Sequence, residues 1–268
     1  MDITSRAFPD LVEALEIDPS CRSIAIVGAG GKTTLMYALA KNLINKGKTV
    51  ISTTSTKIFP PEKNQSGGLI LIEDIFSGIN DIISQVQALR HLSVGMKFDP
   101  ISGKLLGVSS DQIFLMLSWA DHVIIEADGA AGRPVKSPIA TEPVIPDFVD
   151  LVIPVIGLDS VLSVANSLNV FRLNEFLRIT GLTQNQIIGV PEIVTLFNAP
   201  DGALRNIPAQ ASISIFLNKF DRLNNVEMLT ELALKILATV KDHRLKSIVS
   251  GTLKPFACEF LRFHRHLC

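Results

Sequence analysis

Ser23-Ile24-Ala25-Ile26-Val27 runs without a break into Gly28-Ala29-Gly30-Gly31-Lys32-Thr33-Thr34, and apolar residues then recur at Leu35, Met36, Leu39, Ala40, Leu43 and Ile44 before Gly47. A β-branched run, a glycine turn and a segment of helical period, in that order, predict the strand, loop and helix of a phosphate-binding loop. The glycines have a physical task. Lacking Cβ, they let successive backbone N–H groups converge on phosphate oxygens, while the helix N-terminus adds its partial positive charge. Lys32 then neutralises the terminal phosphates, and the hydroxyl of Thr33 falls where a Mg²⁺ ion binds. Residues 28–34 are therefore expected to wrap a nucleotide phosphate tail. Ile26 stands where the usual G-x-x-x-x-G-K-[ST] loop has its first glycine, so the form here is the shorter G-x-x-G-K-T. A dinucleotide-binding fingerprint fits less well: Thr33 replaces its third glycine, and Thr53-Thr54-Ser55-Thr56 follows the second strand without an acid. The bland alternative is a glycine turn with an incidental lysine.

Working outward, apolar β-branched stretches at 23–27, 49–53, 69–72, 122–127, 151–156, 212–217 and 245–249 alternate with segments of helical period, including one through Met228, Leu229, Leu232, Leu234, Ile236 and Leu237. That alternation predicts an α/β, P-loop NTPase-like three-layer fold with a mostly parallel sheet. Residues 158–202, broken by Gly and Pro, are expected to form a helical insertion within a single domain covering 1–268.

The run His122-Val123-Ile124-Ile125 ends in Glu126-Ala127-Asp128-Gly129, followed by Gly132-Arg133-Pro134-Val135-Lys136. An acid at the end of a hydrophobic strand is where a phosphate-loop protein holds its metal. Residues 126 and 128 share a face of an extended chain. Asp128 is assigned to Mg²⁺ and Glu126 to the attacking water; Lys32, Glu126 and Asp128 form the expected catalytic set. Arg133 and Lys136 are candidate phosphate clamps or solvated loop charges. Thr54 is a candidate for reaching Mg²⁺ or the terminal phosphate, or an ordinary strand residue. Ile213-Ser214-Ile215-Phe216-Leu217 leads into Asn218-Lys219-Phe220-Asp221, the N-K-x-D pattern in which an ionised Asp221 accepts from the ring N–H and the amine of guanine. Ser250-Gly251-Thr252 falls where a base-capping loop is expected. GTP is thus favoured over ATP.

With 25 basic and 26 acidic residues and no long run of either sign, the chain offers no electrostatic footprint for nucleic acid. Hydropathy is high, yet every apolar run is interrupted too soon for the roughly 20 residues that a membrane helix needs. No signal peptide is expected at the N-terminus, and Cys21, Cys258 and Cys268 are too few and too scattered for a disulfide framework, so a cytoplasmic location is expected. Cys258, His264, His266 and Cys268 match no common zinc spacing.

The chain resembles the YqeC family, described as accessory proteins for selenium-dependent molybdenum hydroxylases. The resemblance rests on the 28–34 loop, the Thr-rich segment ending in Lys57, and Glu126-Ala127-Asp128-Gly129 with Gly132-Arg133-Pro134 and Lys136. It continues through Pro143, Pro146 and Asn218-Lys219-Phe220-Asp221. It implies a role in maturing such a hydroxylase, at insertion or modification of its cofactor, with that enzyme or its cofactor as partner. The expected activity is Mg²⁺-dependent hydrolysis of a nucleoside triphosphate. The alternatives are an ATP-dependent ligase or kinase, because Mur ligases also carry a short G-x-x-G-K-T loop, and a nucleotide-responsive scaffold without useful turnover.

Overall fold

The computed structural model describes residues 3–74, 79–253 and 259–265. Its strands in chain order are β1 (Ile3–Phe8), β2 (Ser23–Gly28), β3 (Val50–Thr54), β4 (Lys57–Ile58), β5 (Leu69–Leu71), β6 (His91–Gly95), β7 (Leu105–Leu106), β8 (His122–Glu126), β9 (Val135–Lys136), β10 (Leu151–Gly157), β11 (Val170–Phe171), β12 (Ser212–Asn218), β13 (Leu245–Gly251) and β14 (Phe260–Arg265). The helices are α1 (Leu11–Ala14), α2 (Lys32–Asn45), α3 (Ile79–Leu89), α4 (Ser110–Met116), α5 (Leu173–Thr180), α6 (Val190–Asn198), α7 (Phe220–Leu223) and α8 (Val226–Thr239).

Ten strands form one sheet in the order β1-β14-β13-β12-β10-β2-β8-β3-β6-β5, parallel from β13 to β5 and antiparallel at the β1–β14 edge. Its central strands are apolar on both faces, as a parallel sheet covered on both sides requires. Ile24 and Ile26 of β2, Ile124 of β8 and Ile153 of β10 pack with Leu35, Met36, Leu39 and Leu43 of α2. Ala25, Val27, Val123, Ile125, Val152 and Ile156 point the other way, into a core shared with α3, α4, α6 and α8. The result is an α/β three-layer arrangement with a large, mostly parallel sheet.

Each of the seven expected runs lies on a strand, to within two residues at the ends. The pattern did not foretell β1, β6, β14 or α3. Segment 158–202 carries helices α5 and α6 but also β11, which pairs with β9. Val190, Ile193, Leu196 and Phe197 of α6 belong to the sheet core, so this segment also serves as the crossover joining parallel strands β10 and β12. Of the scattered Cys/His set, His264 lies on β14 within 3.3 Å of the Thr4 hydroxyl, whereas Cys258, His266 and Cys268 fall outside the described residues. Cys21 is a free cysteine whose thiol burial pushes up to about 12. Among the described residues no helix is long and apolar enough to cross a membrane, and no three His, Cys, Asp or Glu side chains gather as a metal site.

From β2 the chain builds outward in both directions: β3 and β6 lie to one side beyond β8, and β10, β12 and β13 to the other. In open α/β sheets, ligands bind beyond the carboxyl ends of strands where the order reverses. At that edge β2 ends in Gly28, β8 in Glu126, β10 in Gly157, β12 in Asn218 and β13 in Gly251. The sheet thus gathers the glycine loop, the acidic segment and the Asn-Lys-Phe-Asp segment along one rim.

His91 sits buried in β6, its Nε2 within 2.8 Å of the Ser52 hydroxyl on β3, and burial lowers its pKa from 6.5 to about 4. The unfolded chain therefore binds a proton on this imidazole at a pH where the folded one does not. The stability this group contributes is complete above about pH 6.5 and is lost as the pH falls toward 4, by roughly 3 kcal/mol at most. Urea unfolding across that window is expected to show a smaller loss for His91→Gln than for the parent. Equal losses in the two proteins would assign the acid sensitivity to other groups.

Candidate functional site

Gly28, Gly30 and Gly31 have φ values of 92°, 83° and 127°, a region in which a Cβ is strained. Space closes the same positions: a Cβ on Gly28 would meet the backbone of Val155, one on Gly30 that of Gly157, and one on Gly31 the Asn218 amide. The turn is held by its own N–H groups. Gly28 N–H donates to Asp128 Oδ2 at 2.9 Å, Ala29 N–H to Val155 O at 2.9 Å and Gly30 N–H to Arg133 O at 3.0 Å. These three donors are spent on the protein. Within α2 the backbone ladder starts when Leu35 N–H donates to Gly31 O at 2.9 Å, so the N–H groups of residues 31–34 are the ones left to receive an anion at the positive end of the helix.

Lys32 is 5% exposed and folds back under the loop, donating to Gly28 O at 2.8 Å. Its Nζ stands 3.1 Å from Asp128 Oδ1 and 3.8 Å from Glu126 Oε1. The Asp128 contact is an ion pair without the alignment of a hydrogen bond, and Oδ1 receives no other donor. Asp128 is 2% exposed, and its Oδ2 pairs with Lys136 Nζ at 3.0 Å besides accepting from Gly28. Lys136, also buried, continues to Gly129 O and to Glu142, and Glu142 continues to Arg172 at 3.3 Å. Burial raises the Glu142 carboxyl, but the Lys136 and Arg172 charges outweigh it and the net shift is downward.

Glu126 has different surroundings. Its Oε2 accepts from the Thr33 hydroxyl at 2.7 Å, and burial pushes its carboxyl up against the opposing pull of Lys32 and Thr33. The two acids are thus sorted: Asp128 is locked between two lysines, while Glu126 faces the hydroxyl that the sequence assigns to Mg²⁺. Glu126 and residues 30–34 line a cleft of about 370 Å³ together with residues 129–133, Lys57, Phe59, Lys104 and Lys219; Asp128 and Lys136 do not line it.

Other expected residues divide between the cleft and the framework. Thr54 is fully buried and donates to Glu126 O at 2.7 Å, fastening β3 to the acid-bearing strand. Lys136 is neither solvated nor in the cleft. Arg133 reaches the cleft, with Nε on Ser167 O and Nη1 on Ala131 O. Asn218 donates to Gly30 O at 2.8 Å, so the Asn-Lys-Phe-Asp segment supports the glycine turn from behind. Lys219 pairs with Asp159 at 2.7 Å, and Asp221 exchanges hydrogen bonds with the Thr252 hydroxyl, joining the two segments expected around a base. Sequence reasoning missed Glu142, Asp159 and Lys104, which carry no motif of their own; only Pro143 after Glu142 marked that region.

Removing the Asp128 charge would leave Lys136 only Glu142 and Lys32 only its longer contact to Glu126, a loss of at most about 3–5 kcal/mol. Neutralising Glu126 instead relieves a burial cost. Asp128→Asn is therefore expected to unfold at clearly lower urea concentration than the parent, with Glu126→Gln near the parent or above it. Equal midpoints for the two variants would contradict this division of roles.

The family profile described as "YqeC protein" matches residues 24–174, which contain the glycine loop, both acids and Lys136. A protein of Escherichia coli (strain K12) described as "Uncharacterized protein YqeC" is 30% identical over 243 residues, covering 90% of this chain and 91% of that one. No solved structure matches the chain. The profile spans more than half of the chain and the relative nearly all of it: the chain belongs to the YqeC family.

Proposed function

We propose that the chain is a Mg²⁺-dependent nucleoside triphosphatase of P-loop type, with GTP preferred to ATP. The observation that carries the reading is the meeting of Thr33 and Glu126 at 2.7 Å beside four helix-start N–H groups and a buried lysine. A magnesium site usually takes one or two protein carboxylates and fills its shell with phosphate and water oxygens, so the absence of a three-residue cluster among the described residues fits it. Thr33 and Glu126 would hold the ion. Bound there, it would neutralise charge on the terminal phosphate oxygens.

The chain's own groups supply the rest. N–H groups of residues 31–34 receive phosphate oxygens, and Lys32 exchanges its unaligned contact with Asp128 for the ligand's charge. Asp128 acts as a positioning residue: it fixes Gly28 and keeps Lys136 out of the cleft. This assigns the metal to Glu126 and not to Asp128, and leaves Asp128 without a direct part in chemistry. Asp221, with Thr252 beside it, is the group proposed to read guanine. A role in maturing a selenium-dependent molybdenum hydroxylase follows from the resemblance to the YqeC family alone, with that hydroxylase or its cofactor as the proposed partner.

Equilibrium binding of GTP and ATP with and without Mg²⁺, followed by phosphate release, tests the reading. The parent is expected to favour GTP, and Asp221→Asn to shift preference toward xanthosine triphosphate, because Asn donates where Asp accepts. A buried polar mismatch costs about 1–3 kcal/mol, or roughly a five- to hundredfold change in relative affinity. A protonated Glu126 cannot ligate the ion, and burial places its titration above that of an ordinary glutamate. The gain in affinity that Mg²⁺ confers is thus present above that raised pKa and lost as the pH falls through it; Glu126→Gln lacks the gain at every pH. Nucleotide binding that ignores Lys32→Ala would remove the assignment, and binding without phosphate release would make the protein a nucleotide-responsive scaffold.

A further inference from the structure

The cleft has a second wall, opposite the glycine loop. Strands β4 and β7 form it as a short antiparallel pair, with Lys57 facing Leu106 and Ile58 facing Leu105. The wall is seated on the end of β3: Val108 N–H donates to Thr54 O at 2.9 Å, and a Cβ on Gly107 would collide with the backbone of Ser55 and Thr56. Thr54 is bonded in turn to Glu126 O. The position of this wall is therefore fixed relative to the acid-bearing strand.

Two cations on this wall line the cleft. Lys57 is spent on Asp99 at 2.8 Å. Lys104 has no carboxylate partner among the described residues; its Nζ lies 4.7 Å from the ring centroid of Phe59, a side chain 62% exposed. An aromatic face steadies an ammonium without neutralising it. Burial raises the Glu126 carboxyl overall, and the Lys104 charge is among the groups that oppose that rise. A cation held without a counter-charge, facing an anion site, is available to a ligand at no cost of a broken ion pair.

We propose that Lys104 meets the terminal phosphate of a bound triphosphate from the side opposite the glycine loop, and that this contact makes the protein distinguish tri- from diphosphate. The inference rests on the phosphate reading of the cleft. The helix start serves phosphates that both nucleotides share and Lys32 reaches the terminal ones from the loop side, whereas Lys104 lines the same cleft from the β4–β7 wall, where the longer chain would extend. Because its wall is tied through Thr54 to the Glu126 strand, loss of that phosphate releases a contact on the same framework that positions the metal ligand.

The test is isothermal titration of a non-hydrolysable GTP analogue and of GDP, both with Mg²⁺, against the parent, Lys104→Met, Lys104→Arg and Phe59→Leu, with thermal unfolding as the check on folding. Lys104→Met is expected to weaken the analogue about tenfold or more and to leave GDP within about twofold, the loss of one charge-assisted contact. Lys104→Arg should keep most of the discrimination, and Phe59→Leu should lose part of it. Equal weakening of both nucleotides, or of neither, would overturn the assignment of Lys104 while leaving the phosphate site standing. A parent that binds neither nucleotide would overturn both.

Discussion

Two buried ammonium groups, Lys32 and Lys136, share the single carboxylate of Asp128, and that carboxylate also takes the N–H of Gly28. Removing a charge from water costs several kcal/mol, and a buried ion survives only where partners and hydrogen bonds answer it. Asp128 therefore decides where three pieces of chain can lie: the start of the glycine turn, the first residue of α2, and the short strand β9. The remaining donors of the turn go to Val155 and Arg133, and Asn218 closes it from behind. A loop of glycines alone would be loose; this one is fixed by bonds from β10, β12 and the 128–136 segment.

The same arrangement separates holding from binding. The N–H groups of residues 28–30 and one of the two acids are used to hold the loop, which leaves the N–H groups of residues 31–34, Glu126 and Thr33 toward the cleft. Lys32 stands between the two roles. Its bond to Gly28 O is well formed, but its pair with Asp128 is unaligned, so the proposed phosphate would compete with the weaker of its contacts. Lys136 would still answer Asp128 if Lys32 turned to a ligand.

Much of this was legible in the sequence, for reasons that differ by element. Strands β2, β8 and β10 are covered on both faces, which writes them as nearly unbroken apolar runs, and β12 and β13 keep enough of the same pattern to be read. Helix α2 announces itself by period and by the glycines before it. Strands β1 and β14 do not: they pair across almost the whole chain, with Arg6 opposite Arg262, and neither has an apolar run to mark it. Among site residues, the loop, Glu126 and the Asn-Lys-Phe-Asp segment stand out because their chemistry is local in sequence. Which acid faces Thr33 depends on where Lys136 and Glu142 lie, and spacing alone does not encode that. Lys104 is a lysine just before the two-residue strand β7, significant only once β4 and β7 are seen to line the cleft with the glycine loop.

The central claim is that a phosphate at the start of α2 draws a divalent ion to Thr33 and Glu126. A crystal structure with Mn²⁺ in place of Mg²⁺ and a non-hydrolysable GTP analogue tests it most directly, because manganese is located by its anomalous scattering. The account predicts one strong peak at about 2.0–2.2 Å from Thr33 Oγ1 and beside the Glu126 carboxylate, with Lys32 turned onto the phosphates and Asp128 still paired to Lys136. Manganese bound at Asp128, or phosphates seated away from the N–H groups of residues 31–34, would contradict it.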